Sequence, residues 1–174
     1  GKDTGLPASC NMLDVQDTLE SIGSAEYEMM MLASNGAGTA RNFSKIRPVG
    51  EKYGVNGKSV GVMKWIKAYA NKIQDVSQGG TRRGFFTAGL SVNHPEILNF
   101  LTIGREGSDI KRMTTYVTIT KGWMESLLSG DDKKWEIWVE IHESRAEKGY
   151  PYILFEDNAN KGKHEVYKDK WLTN

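Results

Sequence analysis

An α/β fold, with mostly parallel strands alternating with helices, is what this sequence predicts. Short apolar or β-branched runs at 8–15, 85–92, 114–120 and 151–155 have the length of strands. Between them lie longer segments whose apolar residues recur every three or four positions, the spacing of a helix face. Strands separated by helix-length connections pair in parallel. The 174 residues, 39% hydrophobic and 26% charged, suffice for a single domain with a real core.

Composition removes several function classes. Lys and Arg number 23 and Asp and Glu 22, so a formal charge of +1 provides no global field toward nucleic acid or a membrane surface. No apolar run approaches the roughly 18 residues of a membrane span, and no signal-peptide pattern opens the chain. One cysteine excludes an internal disulfide framework and fits a reducing compartment. His94, His142 and His164 lack the local spacing of a metal site. The opening residue is Gly1 rather than methionine, which suggests a processed or excised piece.

Taken in order, residues 1–7 read as loop and 8–15 as a buried strand carrying Cys10. Asp17 is placed as the N-cap of a first helix, with Glu20 three residues on as in a capping box. Leu19, Ile22, Tyr27, Met30 and Met31 give its apolar face, Asn35-Gly36 ends it, and the adjacent methionines read as core filling. Gly36-Ala37-Gly38 leads, with no element assigned, to Ser44-Lys45-Ile46-Arg47-Pro48-Val49-Gly50, and 51–58 reads as flexible. Ser59 is expected to cap a second helix to about Val76, with Val62, Ile66, Tyr69 and Ile73 on one stripe. Gly57-Lys58-Ser59 ahead of a helix invites a phosphate-loop reading. A Walker motif needs glycine where Lys52 stands, so only the general attraction of a helix N-terminus for anions remains.

Beyond the strand at 85–92, His94-Pro95 opens a short helix to about Ile103. A strand at 114–120 and a short helix at 122–128 follow. The WEIWVEI run within 135–148 alternates like a strand, but its length and the Lys148-Gly149 ending favour a helix with a glycine C′ residue. Residues 151–155 read as another buried strand, opening into Glu156-Asp157-Asn158-Ala159-Asn160, and a polar tail follows Gly162. A parallel sheet presents its strand-end loops on one rim, and the class is expected to gather Cys10, the 77–84 loop and Asp157-Asn158 there.

That loop, Ser77-Gln78-Gly79-Gly80-Thr81-Arg82-Arg83-Gly84, joins the second helix to the strand at 85–92. Its glycines free the backbone, while an amide and two guanidiniums suit base edges and phosphates. In isolation it reads more readily as a connector with solvated arginines.

Leu6-Pro7-Ala8-Ser9-Cys10, Asp17-Thr18-Leu19-Glu20-Ser21-Ile22, Ser44-Lys45-Ile46-Arg47, the 77–84 loop, His94-Pro95, and Gly149-Tyr150-Pro151-Tyr152-Ile153 with Asp157 and Asn160 form an ordered set. The set resembles the large, catalytic subunit of ribonucleotide reductases over nearly the whole chain. The resemblance implies roughly the first half of a ten-stranded α/β barrel built from two five-stranded halves. Residues 1–174 would be a single partial domain without the N-terminal ATP-cone domain. The implied activity is radical-based reduction of ribonucleoside di- or triphosphates to deoxyribonucleotides for DNA synthesis, under allosteric control by dNTP or ATP. On this resemblance Cys10 is one of two cysteines that reduce the substrate 2′ carbon and end as a disulfide. Ser9 helps hold the substrate, and Ala37 and Gly38 line its pocket with backbone. Asp17 would bind the effector ribose, Arg47 its phosphates, and 51–58 would be the first effector loop. Ser77, also expected to bind the effector, begins the second loop, in which Gln78 and Arg82 touch the substrate base. Without the resemblance, a lone buried cysteine is usually inert.

The family needs three active-site cysteines and this chain has one. The resemblance therefore implies that the second reducing cysteine and the radical cysteine, with its Asn and Glu, follow position 174. The chain would then be a fragment, or one piece of a split or intein-interrupted enzyme, inactive alone. No cofactor is expected on the segment itself. The radical would come from a metal-containing small subunit or from adenosylcobalamin. Expected partners are the rest of the catalytic subunit, a second large subunit, the small subunit, and thioredoxin or glutaredoxin. The expected location is the cytoplasm, the host's if the chain is virus-encoded. A non-catalytic nucleotide-binding module that keeps only the effector site is the alternative. A nucleic-acid-binding domain built on Arg82-Arg83 is disfavoured by the balanced charge.

Overall fold

The structure is a computed structural model and describes residues 8–76 and 83–167. In chain order the elements are β1 (Cys10–Leu13), α1 (Leu19–Ser34), β2 (Gly38–Asn42), the short β3 (Lys52–Tyr53) and β4 (Gly57–Lys58), and α2 (Val62–Val76). There follow β5 (Phe85–Ser91), α3 (Ile97–Leu101), β6 (Thr114–Ile119), α4 (Lys121–Leu128), α5 (Asp132–Lys148), β7 (Tyr152–Phe155) and α6 (Glu156–Lys161). Five strands form one parallel sheet in the order β1-β2-β5-β6-β7, curled as a half-barrel, as the α/β half-barrel reading expects.

Because spatial order follows chain order, every crossover runs the same way. Right-handed crossovers then put the helices on one face and leave the other face open. Side chains alternate between the faces. Phe86, Ala88, Leu90, Val117 and Ile119 are buried toward the helices, while Cys10, Met12, Phe85 and Tyr152 stand exposed on the open face. Under α1 and α2, the rings of Phe43, Tyr69 and Phe86 meet at centroid distances of 5.4–6.2 Å, two of the three pairs edge to face. The Tyr69 hydroxyl donates to the Ile22 carbonyl, and burial pushes this phenol far above its ordinary range. Arg41 of β2 is buried on the same side. Its guanidinium donates to Asp14 O (2.8 Å) and Ala25 O (2.9 Å) and pairs with Glu28 (3.0 Å), joining β1, β2 and α1.

Several expectations need correction. The first helix is capped by Thr18, whose Oγ1 accepts from Ser21 N at 3.1 Å, and not by Asp17, whose carboxylate is turned to Arg47. Its buried face is Ile22, Ala25, Met29 and Ala33; Leu19, Tyr27 and Met31 are exposed. Leu19, Tyr27 and Met31 lie off the packed face, which the small Ala25 and Ala33 bring close to the sheet. A strand was missed at β2, because Gly38-Thr39-Ala40-Arg41-Asn42 has little β propensity and is held by partners on both sides. Residues 51–58 form the antiparallel β3–β4 hairpin, with Lys52 opposite Lys58. Ser59 lies ahead of α2, which starts at Val62, and its Oγ accepts from Gly61 N. The strands at 8–15 and 151–155 are edges with an open face, so neither is buried. The second helix face and the helix at α5, closed by Gly149 at φ 80°, follow the sequence reading.

Two candidate sites at opposite rims of the sheet

Strand register separates the predicted site residues. Cys10, Gly38 and Phe85 are directly paired at the amino ends of β1, β2 and β5. Asp157 follows β7, at the carboxyl ends, where its carboxylate accepts from Lys121 N at the start of α4 (2.6 Å). Cys10 and Asp157-Asn158 therefore do not share a rim. Chain direction is the reason: Cys10 begins its strand, whereas Asp157 follows one.

At the carboxyl-end rim, α1 brings Asp17 and Thr18, the segment after β2 brings Arg47, and the β3–β4 hairpin folds over both. Together they border a cavity of about 310 Å³ whose wall includes Tyr53, Lys58, Ser59 and Trp65. Arg47 forms an ion pair with Asp17 through Nε, and Nη2 reaches Asp17 O at 3.4 Å. The guanidinium also lies 5.6 Å from the Tyr53 ring centroid, within cation–π range. Both members of the ion pair are about a quarter exposed, so they are reachable from the cavity yet partly desolvated. A second hollow of about 590 Å³ shares Asp17 and Arg47 and is bordered by Asn42, Ser44, Lys45 and Glu156. Two cations at the cavity, Arg47 and Lys58, stand beside one carboxylate and an aromatic face. That combination accepts a phosphate chain, a hydroxylated ring and a planar group.

At the amino-end rim, a hollow of about 470 Å³ is bordered by Ser9, Cys10, Gly38, Thr39, Arg83 and Phe85. The Cys10 thiol is exposed and 3.9 Å from Ser9 Oγ. Gly38 N donates to Ser9 O at 2.8 Å, which fixes the two strand starts together. Ala37 is buried, and its N–H bonds Leu32 O at the end of α1. Asn11 Nδ2 and Thr39 Oγ1 are buried without a partner among the described residues. Ser77, Gln78 and Arg82 lie outside the described residues.

Tyr53 and Lys58 lie within the 51–58 segment and Arg83 within the 77–84 loop, both read from the sequence as segments without assigning these side chains to either cavity; Trp65 at the first cavity was missed altogether. The hairpin signal was present in Gly54 and Gly57 flanking Val55-Asn56, but two-residue strands carry no periodicity. Among the described residues no group of three or more His, Cys, Asp or Glu is placed to hold a metal ion, and no helix is long and apolar enough to cross a membrane.

Residues 8–137 match the family model for the ribonucleotide reductase barrel domain. The chain is 30% identical, over 97% of its length, to a Frog virus 3 (isolate Goorha) protein assigned as a ribonucleoside-diphosphate reductase large subunit, of which it covers 32%. It is 33% identical, over 73% of its length, to the vitamin B12-dependent ribonucleoside-diphosphate reductase of Mycobacterium tuberculosis, covering 19% of that protein. Among solved structures, the class Id ribonucleotide reductase alpha subunit of Actinobacillus ureae superposes with a TM-score of 0.86 at 34% identity, over 95% of this chain and 30% of that one. The chain thus spans about a third or less of the length of these relatives.

Proposed function

The chain belongs to the ribonucleotide reductase barrel-domain family, and from that premise we propose that it is the part of a large subunit carrying one reducing thiol and the specificity-effector site. The observation that carries the reading is the separation of the two sites: an exposed thiol at one rim, a charged and aromatic cavity at the other. Reaction and regulation then use different ends of one sheet.

At the amino-end rim Cys10 is the reducing thiol. Replacing a ribose 2′-hydroxyl by hydrogen takes two electrons, and two thiols supply them: the C2′–O bond breaks, a C2′–H bond forms, the thiols become a disulfide, and the hydroxyl leaves as water. This chain has one cysteine, so the partner thiol comes from the remaining part of the subunit. Ser9 and the backbone of Gly38 orient the substrate, and Arg83 supplies positive charge at the mouth. The radical that opens the reaction is delivered from outside this segment, and thioredoxin or glutaredoxin returns the disulfide to thiols. The setting is the cytoplasm, and the working form pairs two large subunits.

At the carboxyl-end rim, Arg47 and Lys58 take the phosphates of a dNTP or ATP effector. Asp17 accepts from its ribose, and Tyr53 offers a face to stack on. The 77–84 loop, with Gln78 and Arg82, carries the effector's identity to the substrate base. The test is deoxynucleotide formation from the four ribonucleoside diphosphates by the intact enzyme, with and without each dNTP. Wild type should change its preferred base with the effector, and Cys10→Ser should give no multiple-turnover product while still binding dNTP. Normal product from Cys10→Ser sinks the thiol assignment; turnover indifferent to every dNTP sinks the effector assignment.

A further inference from the structure

We propose that the His94-Pro95-Glu96 corner is the positioning element of the carboxyl-end cavity, with Glu96 pinning both ends of the excursion that forms the cavity wall. The inference rests on the nucleotide reading of that cavity.

Glu96 precedes α3, yet its side chain makes no cap bond there. Instead Oε2 accepts from Val49 N at 3.1 Å and from Val62 N at 3.0 Å. Val49 is where the chain leaves the Arg47 segment, and Val62 begins α2. Between them lie β3 and β4 with Tyr53, Lys58, Ser59 and Val60, all in the cavity wall. Backbone bonds from Gly50 N to Ser59 O (2.9 Å) and from Ser59 N to Glu51 O (2.8 Å) close the base of the hairpin. The carboxylate closes the outer pair, one turn of chain further out.

His94 completes the corner. Its Nδ1 accepts from Glu96 N at 3.1 Å, so Nε2 carries the ring hydrogen and donates to Ile46 O at 2.9 Å. Ser59 Oγ donates to Arg47 O at 3.1 Å. The backbone around Arg47 is therefore held at Ile46, at Arg47 itself and at Val49, which leaves its guanidinium for Asp17 and the cavity. Glu96 is only 6% exposed, and a carboxylate is costly to bury unless donors surround it. Here it has two backbone N–H groups and the positive end of α2. Space confirms the seat: a Cβ on Gly61 would stand 2.7 Å from each Glu96 carboxylate oxygen and 2.9 Å from Val49 Cβ, at φ +80°. A residue needed only to cap α2 would have no reason to reach Val49 as well.

The experiment is equilibrium dialysis of the full chain against dTTP and dGTP, for wild type, Glu96→Ala, Glu96→Gln, Arg47→Ala and the Glu96→Ala/Arg47→Ala pair. Loss of charge-assisted bonds predicts that Glu96→Ala and Arg47→Ala each weaken binding about tenfold or more. The pair should be little worse than either alone, because a displaced Arg47 has little left to lose. Glu96→Gln, whose amide oxygen can still accept both N–H groups, should keep most of the affinity. Glu96→Ala binding within about twofold of wild type, or losses that multiply in the pair, would overturn the positioning role. If Glu96→Ala does not fold, Glu96→Asp decides: one methylene shorter, its carboxylate falls short of the point where Oε2 meets both N–H groups, and full affinity in a folded Glu96→Asp is equally fatal. Failure of wild type to bind either dNTP overturns the nucleotide reading itself, a different result from failure of the clamp.

Discussion

At the carboxyl-end rim, Arg47 is bound to Asp17, stacked near Tyr53, and held through its backbone by His94, Ser59 and Glu96. At the amino-end rim, the Cys10 side chain has one hydrogen-bonding contact among the described residues, a 3.9 Å approach to Ser9 Oγ, and Asn11 Nδ2 and Thr39 Oγ1 of the same strands have no partner among them. One rim is braced by its own chain; the other is built of small residues, a bare thiol and unused hydrogen-bonding capacity. A site whose donors and acceptors are already arranged gives up less freedom when a ligand arrives. The two orphaned groups share the helix-covered face with Phe86, whereas the Cys10 thiol lies on the open face with Phe85 and is free to meet whatever enters the hollow. The difference matches a division of labour in which the first rim recognises and the second is completed by the substrate and the remainder of the subunit.

Crossed substitutions test that division most severely. Arg47→Ala should lower dNTP affinity about ten- to a hundredfold, the worth of one to two charge-assisted bonds. Cys10→Ser should leave the same affinity unchanged; isothermal titration of both variants reads the two numbers directly, and equal losses would erase the distinction. Tyr53→Ala removes only the stacking face, and a cation–π contact of about 0.5–1 kcal/mol gives roughly a two- to fivefold weakening. An unchanged affinity would take Tyr53 out of the binding site.

Thr39→Val probes the other rim. Thr39 is buried and its hydroxyl lacks a partner among the described residues, so an isosteric apolar replacement should raise the melting midpoint by an amount worth up to about 1 kcal/mol. A lowered midpoint would reveal a bound water or ligand at that hydroxyl. The smallest effect serves as a control at neither rim. Asp131 caps α5, and the Lys134 N–H bond holds its carboxyl below the usual range. With a lowered folded pKa, its contribution is present above about pH 4 and is lost as pH falls through the folded value. Asp131→Asn keeps a cap oxygen without the titration, so acid melts of the variant should fall less steeply than those of wild type.

The sequence disclosed the braced rim only in part. Asp17 and Arg47 were found through the ordered motif set, but their mutual pairing was hidden, because 30 positions of separation carry no local signal. The stripe on α2 was legible because all four of its large apolar residues are buried. Residues 19–31 misled because Ala25 and Ala33, not the larger Leu19 and Tyr27, face the sheet. β2 was invisible for a different reason: its extended form is imposed by β1 and β5 on either side, and nothing in Gly-Thr-Ala-Arg-Asn demands it. The edge strands failed in burial rather than in existence, since an apolar run cannot announce which of its faces will be left uncovered. Glu96 lay beside the conspicuous His94-Pro95 and still gave no sign, because its partners are backbone groups that every residue possesses.

The strand order also bears on how the protein is made. Each of the five strands docks beside the one synthesised before it, so an emerging chain can extend its sheet without waiting for a distant partner. Every addition covers the previous growing edge and exposes one new edge, so the hydrogen-bonding groups open to wrong pairing never exceed two strands' worth. Ribosome-stalled nascent chains ending after β5, β6 and β7 should therefore resist limited proteolysis in that rising order.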